Sequence, residues 1–341
     1  MRIILCIIMY WVSVFPMAGQ SVMAEIRSSN MKLVFKQYSD VVRETEATLK
    51  NTNLSKKDAA ALSLIRGKAF MGLNKYSDAA TSFDQCLIHD AAAFDALVQK
   101  GICAYKTNSY AKSIYFISQS LLLNSINPEA LLWRGRAFIA TNKLDSAKKD
   151  FDLAIKYQHD NAELLAERGY VKLLLKEIGL AFEDFEKAIA IDENYCETYF
   201  FQAEYFFSIG SFGKASTVID KALDIVDANE MYLFAKGKYL YFNSELKKAD
   251  SFFQKVIELN PAYDLAYYYA GLCKMSLNDY ATAVKLFTSA IVINSKSKDY
   301  FVKRGLSFSR MGQPKKACVD FQRAIDLGAT EAIELKAKFC K

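Results

Sequence analysis

Residues 128–161 read PEALLWRGRAFIATNKLDSAKKDFDLAIKYQHDN, and the reading of this string decides the fold. Gly135 within it is one rung of a ladder of small residues: Gly67, Gly101, Gly135, Gly169, Ala203, Gly237, Gly271 and Gly305, each 34 residues after the one before, without insertion. A period of that length marks stacked helical units. Counting position 1 as seven residues before each rung, the repeats begin at Ala60, Phe94, Pro128, Ala162, Cys196, Glu230, Asp264 and Lys298. Position 20 is small every time: Ala79, Ser113, Ala147, Ala181, Ala215, Ala249, Ala283 and Ala317. Position 24 is large and apolar every time: Phe83, Ile117, Phe151, Phe185, Ile219, Phe253, Phe287 and Phe321. Position 27 returns to small side chains, from Cys86 and Ser120 to Ala324, with Val256 the largest. Small residues let two helices approach, and the position-24 knob fills the groove beside them.

Local signals agree with two helices per repeat. Asn127-Pro128 and Asn260-Pro261 are expected to cap and start first helices. Thr107-Asn108-Ser109, Gly210-Ser211, Asn243-Ser244 and Gly312-Gln313-Pro314 fall where the chain must reverse inside a repeat.

The chain has 341 residues, 52% hydrophobic and 24% charged, with 14 Gly and 4 Pro, the composition of a folded protein. Repeat proteins grow by stacking, so this length is one continuous array rather than two domains. A formal charge of +6 from 44 basic and 38 acidic residues, with no long basic run, is too mild to argue for nucleic acid or an anionic membrane, and no nucleic-acid partner is expected. Two histidines, His89 and His159, give a histidine metal site or a catalytic triad poor odds. No CxxC, phosphate-binding glycine loop, HExxH or nucleophile motif occurs, so no enzyme activity, cofactor or small-molecule substrate is expected.

Residues 1–24 have the form of a secretory signal peptide. Arg2 precedes an apolar run from Ile3 to Pro16, and Val22-Met23-Ala24 supplies a small-residue cleavage pattern before Glu25. An uncleaved membrane anchor is the alternative; the run is shorter than the roughly 20 residues that span a bilayer. The expected location is therefore exported, periplasmic or envelope-associated, or secreted, with membrane association only through a partner or that anchor.

The pattern of Gly, Ala, Phe and Ala at fixed offsets over residues 60–331 resembles the tetratricopeptide repeat (TPR) family, here of the exported bacterial type. Tyr76, Tyr110, Phe212 and Tyr280 match the family's aromatic position at the start of the second helix. The departures are position 4, where the chain carries Leu97, Leu131, Leu165, Tyr199, Leu233, Tyr267 and Phe301 rather than Trp, and Ala203 on the ladder. The resemblance implies an all-α, right-handed solenoid of eight helical hairpins. Residues 25–59 are expected to form an N-terminal capping helix or half repeat, with a helical stripe from Met31 to Lys50, and residues 332–341 a C-terminal cap helix.

It also implies a concave surface lined by first helices, mainly at positions 2, 5, 6, 9, 12 and 13. Those positions place Tyr105, Trp133, Phe200, Phe201, Phe207, Phe234, Tyr241, Phe242, Tyr268 and Tyr269 in a groove for a protein or peptide. Packing against neighbouring helices is the other reading of each. Position 5 never carries a charge, which does not support the carboxylate clamp of co-chaperone members. The expected function is an exported scaffold or adaptor; the alternative is a fixed subunit of a secretion or outer-membrane assembly.

Three further expectations concern charge and sulfur. Position 7 is often basic and position 23 is Asp in three of those repeats, so Arg134 with Asp150, Arg168 with Asp184 and Arg304 with Asp320 are expected as internal salt bridges. The acids at position 2, Asp95, Glu129, Glu163, Glu197 and Asp299, stand in first turns where the helix dipole favours them. Cys86, Cys103 and Cys273 read as buried free thiols, Cys196 has no obvious partner, and Cys318 with Cys340 is a candidate disulfide pinning the terminal cap.

Overall fold

The computed structural model describes residues 18–50 and 53–340, with side chains from Val22 onward. The described residues are all-α, 19 helices with no strand. They divide into two compact units, the first ending at Glu177 and the second beginning at Ile178.

In the first unit α1 (Ala18–Val34) and α2 (Tyr38–Leu49) precede repeat one, α3 (Lys56–Gly72) and α4 (Tyr76–His89). Repeat two is α5 (Phe94–Lys106) and α6 (Tyr110–Leu123), and repeat three is α7 (Pro128–Ala140) and α8 (Leu144–Tyr157). The unit closes with α9 (Ala162–Leu174), the first helix of repeat four. The second unit opens with α10 (Ile178–Ile191), then α11 (Glu197–Ser208) and α12 (Phe212–Ile225), α13 (Glu230–Phe242) and α14 (Leu246–Leu259). It continues with α15 (Asp264–Ser276) and α16 (Tyr280–Ile293), α17 (Lys298–Arg310) and α18 (Pro314–Asp326), and ends with α19 (Glu331–Phe339). Within each unit consecutive helices pack on one another as hairpins.

The core follows the repeat pattern. All eight position-20 residues and all eight position-24 knobs are completely buried. Each buried Phe contributes about 1.5–3 kcal/mol of transfer free energy. The ladder glycines make room for those rings: a Cβ at Gly135 would meet Phe151 Cε1 at 2.5 Å, and one at Gly237 would meet Phe253 Cε1 at 2.7 Å.

The reversal inside each repeat is equally regular. Position 15, namely Asn74, Asn108, Asn142, Lys176, Gly210, Ser244, Asn278 and Gly312, always has positive φ, between 56 and 76°. Asn and Gly suit this left-handed turn, which lets the next two amides bond back to the ending helix. In repeat three, Asn142 N donates to Ile139 O at 2.9 Å and Lys143 N to Phe138 O at 2.8 Å. The aromatic that opens the second helix locks the turn from outside: Tyr76, Tyr110 and Tyr280 each donate an OH to the Asn side chain two residues earlier, at 2.8 Å.

Two local expectations change. Asn127 caps α7, accepting from Ala130 N at 2.8 Å, but Asn260-Pro261 does not start a helix. Asn260 ends α14 and accepts from Ala262 N at 3.1 Å, and α15 begins only at Asp264. The same side-chain turn recurs at Asp90, Asn124, Asp192 and Asn294, so position 31 closes second helices.

The N-terminal segment is a complete hairpin rather than a single helix from Met31 to Lys50. The stripe breaks at Lys36, whose φ is 56°, the turn seen in every repeat. Its rung, small residue and knob are Ser29, Val41 and Thr45, all fully buried. They stand 38, not 34, residues before Gly67, Ala79 and Phe83, because the connection to α3 is four residues longer than the period allows. Of the signal expectation, residues 1–17 lie outside the described residues, while 18–24 form the start of α1, with Val22 only 7% exposed.

At the other end α19 packs on α18, with Ala332 fully buried and the Phe321 and Phe339 rings stacked at 29°. Cys318 and Cys340 form a disulfide with Cα atoms 5.7 Å apart. Cys86, Cys103 and Cys273 are free and buried, and Cys196 is free and half-buried. Among the described residues no helix is long and apolar enough to cross a membrane, and no His, Cys, Asp and Glu cluster could hold a metal ion.

Candidate binding surface

First helices of the second unit, with Phe212 at the start of α12, present a connected chain of aromatic rings. Phe212 meets Phe207 at 5.4 Å between centroids, and Phe207 meets Phe242 at 5.2 Å. Phe242 meets Tyr241 at 5.4 Å, Tyr241 meets Tyr269 at 5.8 Å, and Tyr269 meets Tyr268 at 5.5 Å. Tyr268 then meets Tyr300 at 5.0 Å. Such contacts add about 0.5–1.5 kcal/mol each beyond area burial, so the chain is a preorganised surface. Phe242 is its most open ring, 44% exposed; Phe207, Tyr241, Tyr268 and Tyr269 are half-buried.

Not every expected groove residue belongs to this surface. Phe201 is buried, at 9% exposure. Phe234 wedges between Phe253, Tyr263 and Tyr269, and Phe200 packs on Phe201 and on the buried Tyr232. These three hold helices together, because the i, i+1 pairs of an aromatic-rich helix cannot all face one side.

Polar groups frame the rings. Glu204 accepts from Tyr239 OH at 2.6 Å and from Lys238 Nζ at 3.1 Å, and Lys238 lies 4.3 Å over the Phe207 ring. Burial, reinforced by Glu204, pushes the Tyr239 hydroxyl far above its ordinary pKa, so it stays a donor. Burial also raises the Tyr241, Tyr268 and Tyr269 hydroxyls.

The first unit has a smaller counterpart. Tyr105 meets Trp133 at 5.3 Å, and the Arg136 guanidinium lies 4.8 Å over the Trp133 ring while bonded to Glu163 at 2.7 Å and Glu167 at 2.6 Å. Lys106 approaches the same ring at 5.2 Å. Position-2 acids thus face cations of the preceding repeat, Asp95 with Lys68 at 3.5 Å and Glu163 with Arg136, as well as standing in first turns.

The position-7 cations follow two rules. Arg134 grips Asp150 through Nε at 2.8 Å and Nη2 at 2.7 Å, and Arg304 grips Asp320 with the same two distances. The other partner lies sixteen residues earlier, on the preceding repeat: Lys100 with Asp84, Arg168 with Asp152 at 2.8 Å and Lys236 with Asp220 at 2.8 Å. Asp184, expected beside Arg168, is a buried residue of the second unit. The second rule went unread although its signal is plain, since Asp84, Asp152 and Asp220 all occupy position 25.

A helical-hairpin array with small rungs, mostly Gly, and large apolar knobs, mostly Phe, defines a class of repeat scaffold. Tetratricopeptide repeat models match residues 65–130, 128–161, 232–263 and 265–297. The chain is a tetratricopeptide repeat protein, of a scaffold family whose members bind other proteins. No curated protein matches its sequence.

Solved structures resemble it in fold. A chain of the APC/C hetero-tetramer Cut9–Hcn1 aligns with TM-score 0.61 and 14% identity over 88% of this chain, which spans 59% of that chain. The C-terminal part of a TPR repeat-containing protein from Cytophaga hutchinsonii aligns with TM-score 0.52 and 20% identity, over 70% of this chain and 98% of that one. A tetratricopeptide repeat protein from Parabacteroides merdae gives 0.50 and 15%, over 73% and 99%.

Proposed function

We propose that this protein is an exported adaptor that holds an apolar, aromatic-containing peptide segment of a partner protein against the ring chain running from Phe207 to Tyr268. The observation that carries the reading is that chain itself: connected rings held half-open, with Phe242 the most exposed and Lys238 and Glu204 at its edge to set orientation. Preformed aromatic surface binds at little entropic cost. Two features support export. The Arg2 and apolar run has signal-peptide form, and the Cys318–Cys340 disulfide suits an oxidising compartment. Cleavage after Ala24 would shorten α1 but leave the bond from Thr48 to Glu25.

A photocrosslinking amino acid in place of Phe242 should capture one partner protein in cells, at a peptide rich in apolar residues. Tyr241→Ala with Phe242→Ala should weaken binding of that peptide at least tenfold with helicity unchanged. Undiminished binding would remove the site from these rings.

A further inference from the structure

Repeat one departs from its seven sisters at three places, and all three surround Arg66. Position 4 is large and apolar from Leu97 to Phe301 but is Ser63 here. Position 30 is Leu123, Tyr157, Ile191, Ile225, Leu259, Ile293 or Leu327 elsewhere but His89 here. Position 23 is Asp in the three other repeats that carry Arg at position 7, as Asp150, Asp184 and Asp320, but is Ser82 here, which accepts from Arg66 Nε at 3.2 Å.

Ser63 and His89 line a cavity of about 450 Å³ between α2, α3 and α4, together with Arg66 and Gln85, and with Leu49 and Leu54 on its apolar side. Ser63 is buried at its floor. Among the described residues no Asp or Glu lines it. Among the described residues Arg66 has no carboxylate within ion-pair distance. Glu46, whose charge it feels, is exposed and sits 3.6 Å from Lys50. A half-buried guanidinium with an unused fork is costly unless something completes it.

We propose that this cavity binds a small organic carboxylate, whose two oxygens take the place beside Arg66 that the Asp150 and Asp320 carboxylates take beside their arginines. Ser63, Gln85 and His89 supply further hydrogen bonds, and Leu49 and Leu54 cover the carbon skeleton. The volume suits a small molecule. The planar, bidentate partner that this arginine position selects elsewhere in the chain favours carboxylate over phosphate. The site belongs to the first unit and the ring chain to the second, and the two assignments stand or fall separately.

The test is calorimetric titration and thermal shift of the full chain with acetate, succinate, benzoate and inorganic phosphate. At least one organic carboxylate should bind saturably, one per chain and at least tenfold tighter than phosphate. Arg66→Gln should lower that affinity tenfold or more. Ser63→Leu, restoring the sister residue, should fill the cavity and abolish binding. Ser82→Asp supplies an internal carboxylate, and should abolish binding while raising Tm. Absence of saturable carboxylate binding, phosphate binding as tightly, or binding retained in a folded Ser82→Asp protein would each overturn the assignment.

Discussion

Arg134 and Asp150 form a two-pronged ion pair across one helical hairpin, Nε to Oδ2 at 2.8 Å and Nη2 to Oδ1 at 2.7 Å, with Nη1 left to reach Ser118 of the preceding repeat at 3.2 Å. The Asp150 side chain is 8% exposed, so the pair is largely shielded from water. Breaking such a pair strands a charge, whereas an exposed pair is worth little. Asp150→Ala should therefore cost about 3 kcal/mol in denaturant unfolding. Asp152→Ala, at a 49% exposed residue paired with Arg168, should cost less than about 1 kcal/mol. Equal costs would contradict the geometry.

The ladder glycines predict a steric effect of opposite sign to helix propensity. Gly135→Ala improves propensity by up to about 1 kcal/mol but pushes a methyl into Phe151 at 2.5 Å. Overpacking of this kind costs about 1–3 kcal/mol, so the net change should be destabilising. In the Phe151→Leu background the same substitution should be much less harmful, which a double-mutant cycle in urea measures.

Thiol chemistry should follow burial. Burial pushes Cys86 up to about 11 and both Cys103 and Cys273 up to about 12. In the native protein at pH 8, iodoacetamide followed by mass mapping should label the half-buried Cys196 well before these three. Because folding raises these pKa values, their contribution is intact below the unfolded thiol's value near 9 and is lost as pH climbs through 11 to 12. Tm should fall across that window, and less steeply in a Cys86→Ala, Cys103→Ala, Cys273→Ala protein.

The disulfide should matter mainly to the last helix. It closes a 22-residue separation, for which chain entropy gives about 3 kcal/mol. Cys340→Ser should leave the other helices protected in hydrogen exchange while residues 331–339 exchange faster, as α19 loses its tether and the Phe339 ring leaves Phe321.

Most of this fold could be read from residue order because the repeat is governed by sterics. A small rung, a small position 20 and a large apolar position 24 must coexist in each hairpin, and they keep one register from Gly67 to Phe321. The N-terminal hairpin escaped that reading because its connection adds four residues, and Ser29 and Thr45 are polar where the pattern asks for Gly and Phe. Asn260-Pro261 misled because an Asn before Pro serves a helix end as well as a helix start. In the candidate surface, sequence puts the aromatic residues on first helices but cannot separate Phe242 from Phe201 and Phe234. Which ring of an aromatic run turns outward depends on the neighbouring helix.

The sixteen-residue ion pairs have a spacing of their own. Asp84, Asp152 and Asp220 stand 68 residues apart, so they clasp repeat one to two, three to four and five to six. At the same place on the other seams Arg134 meets the neutral Ser118 and Arg304 the neutral Thr288, while Gln202 and Ala270 carry no charge. Together with Lys274 and Asp250, paired at 2.7 Å across the seam from repeat six to seven, the three clasps tie neighbouring repeats by ion pairs that added salt should loosen while the Phe knobs inside each hairpin stay packed.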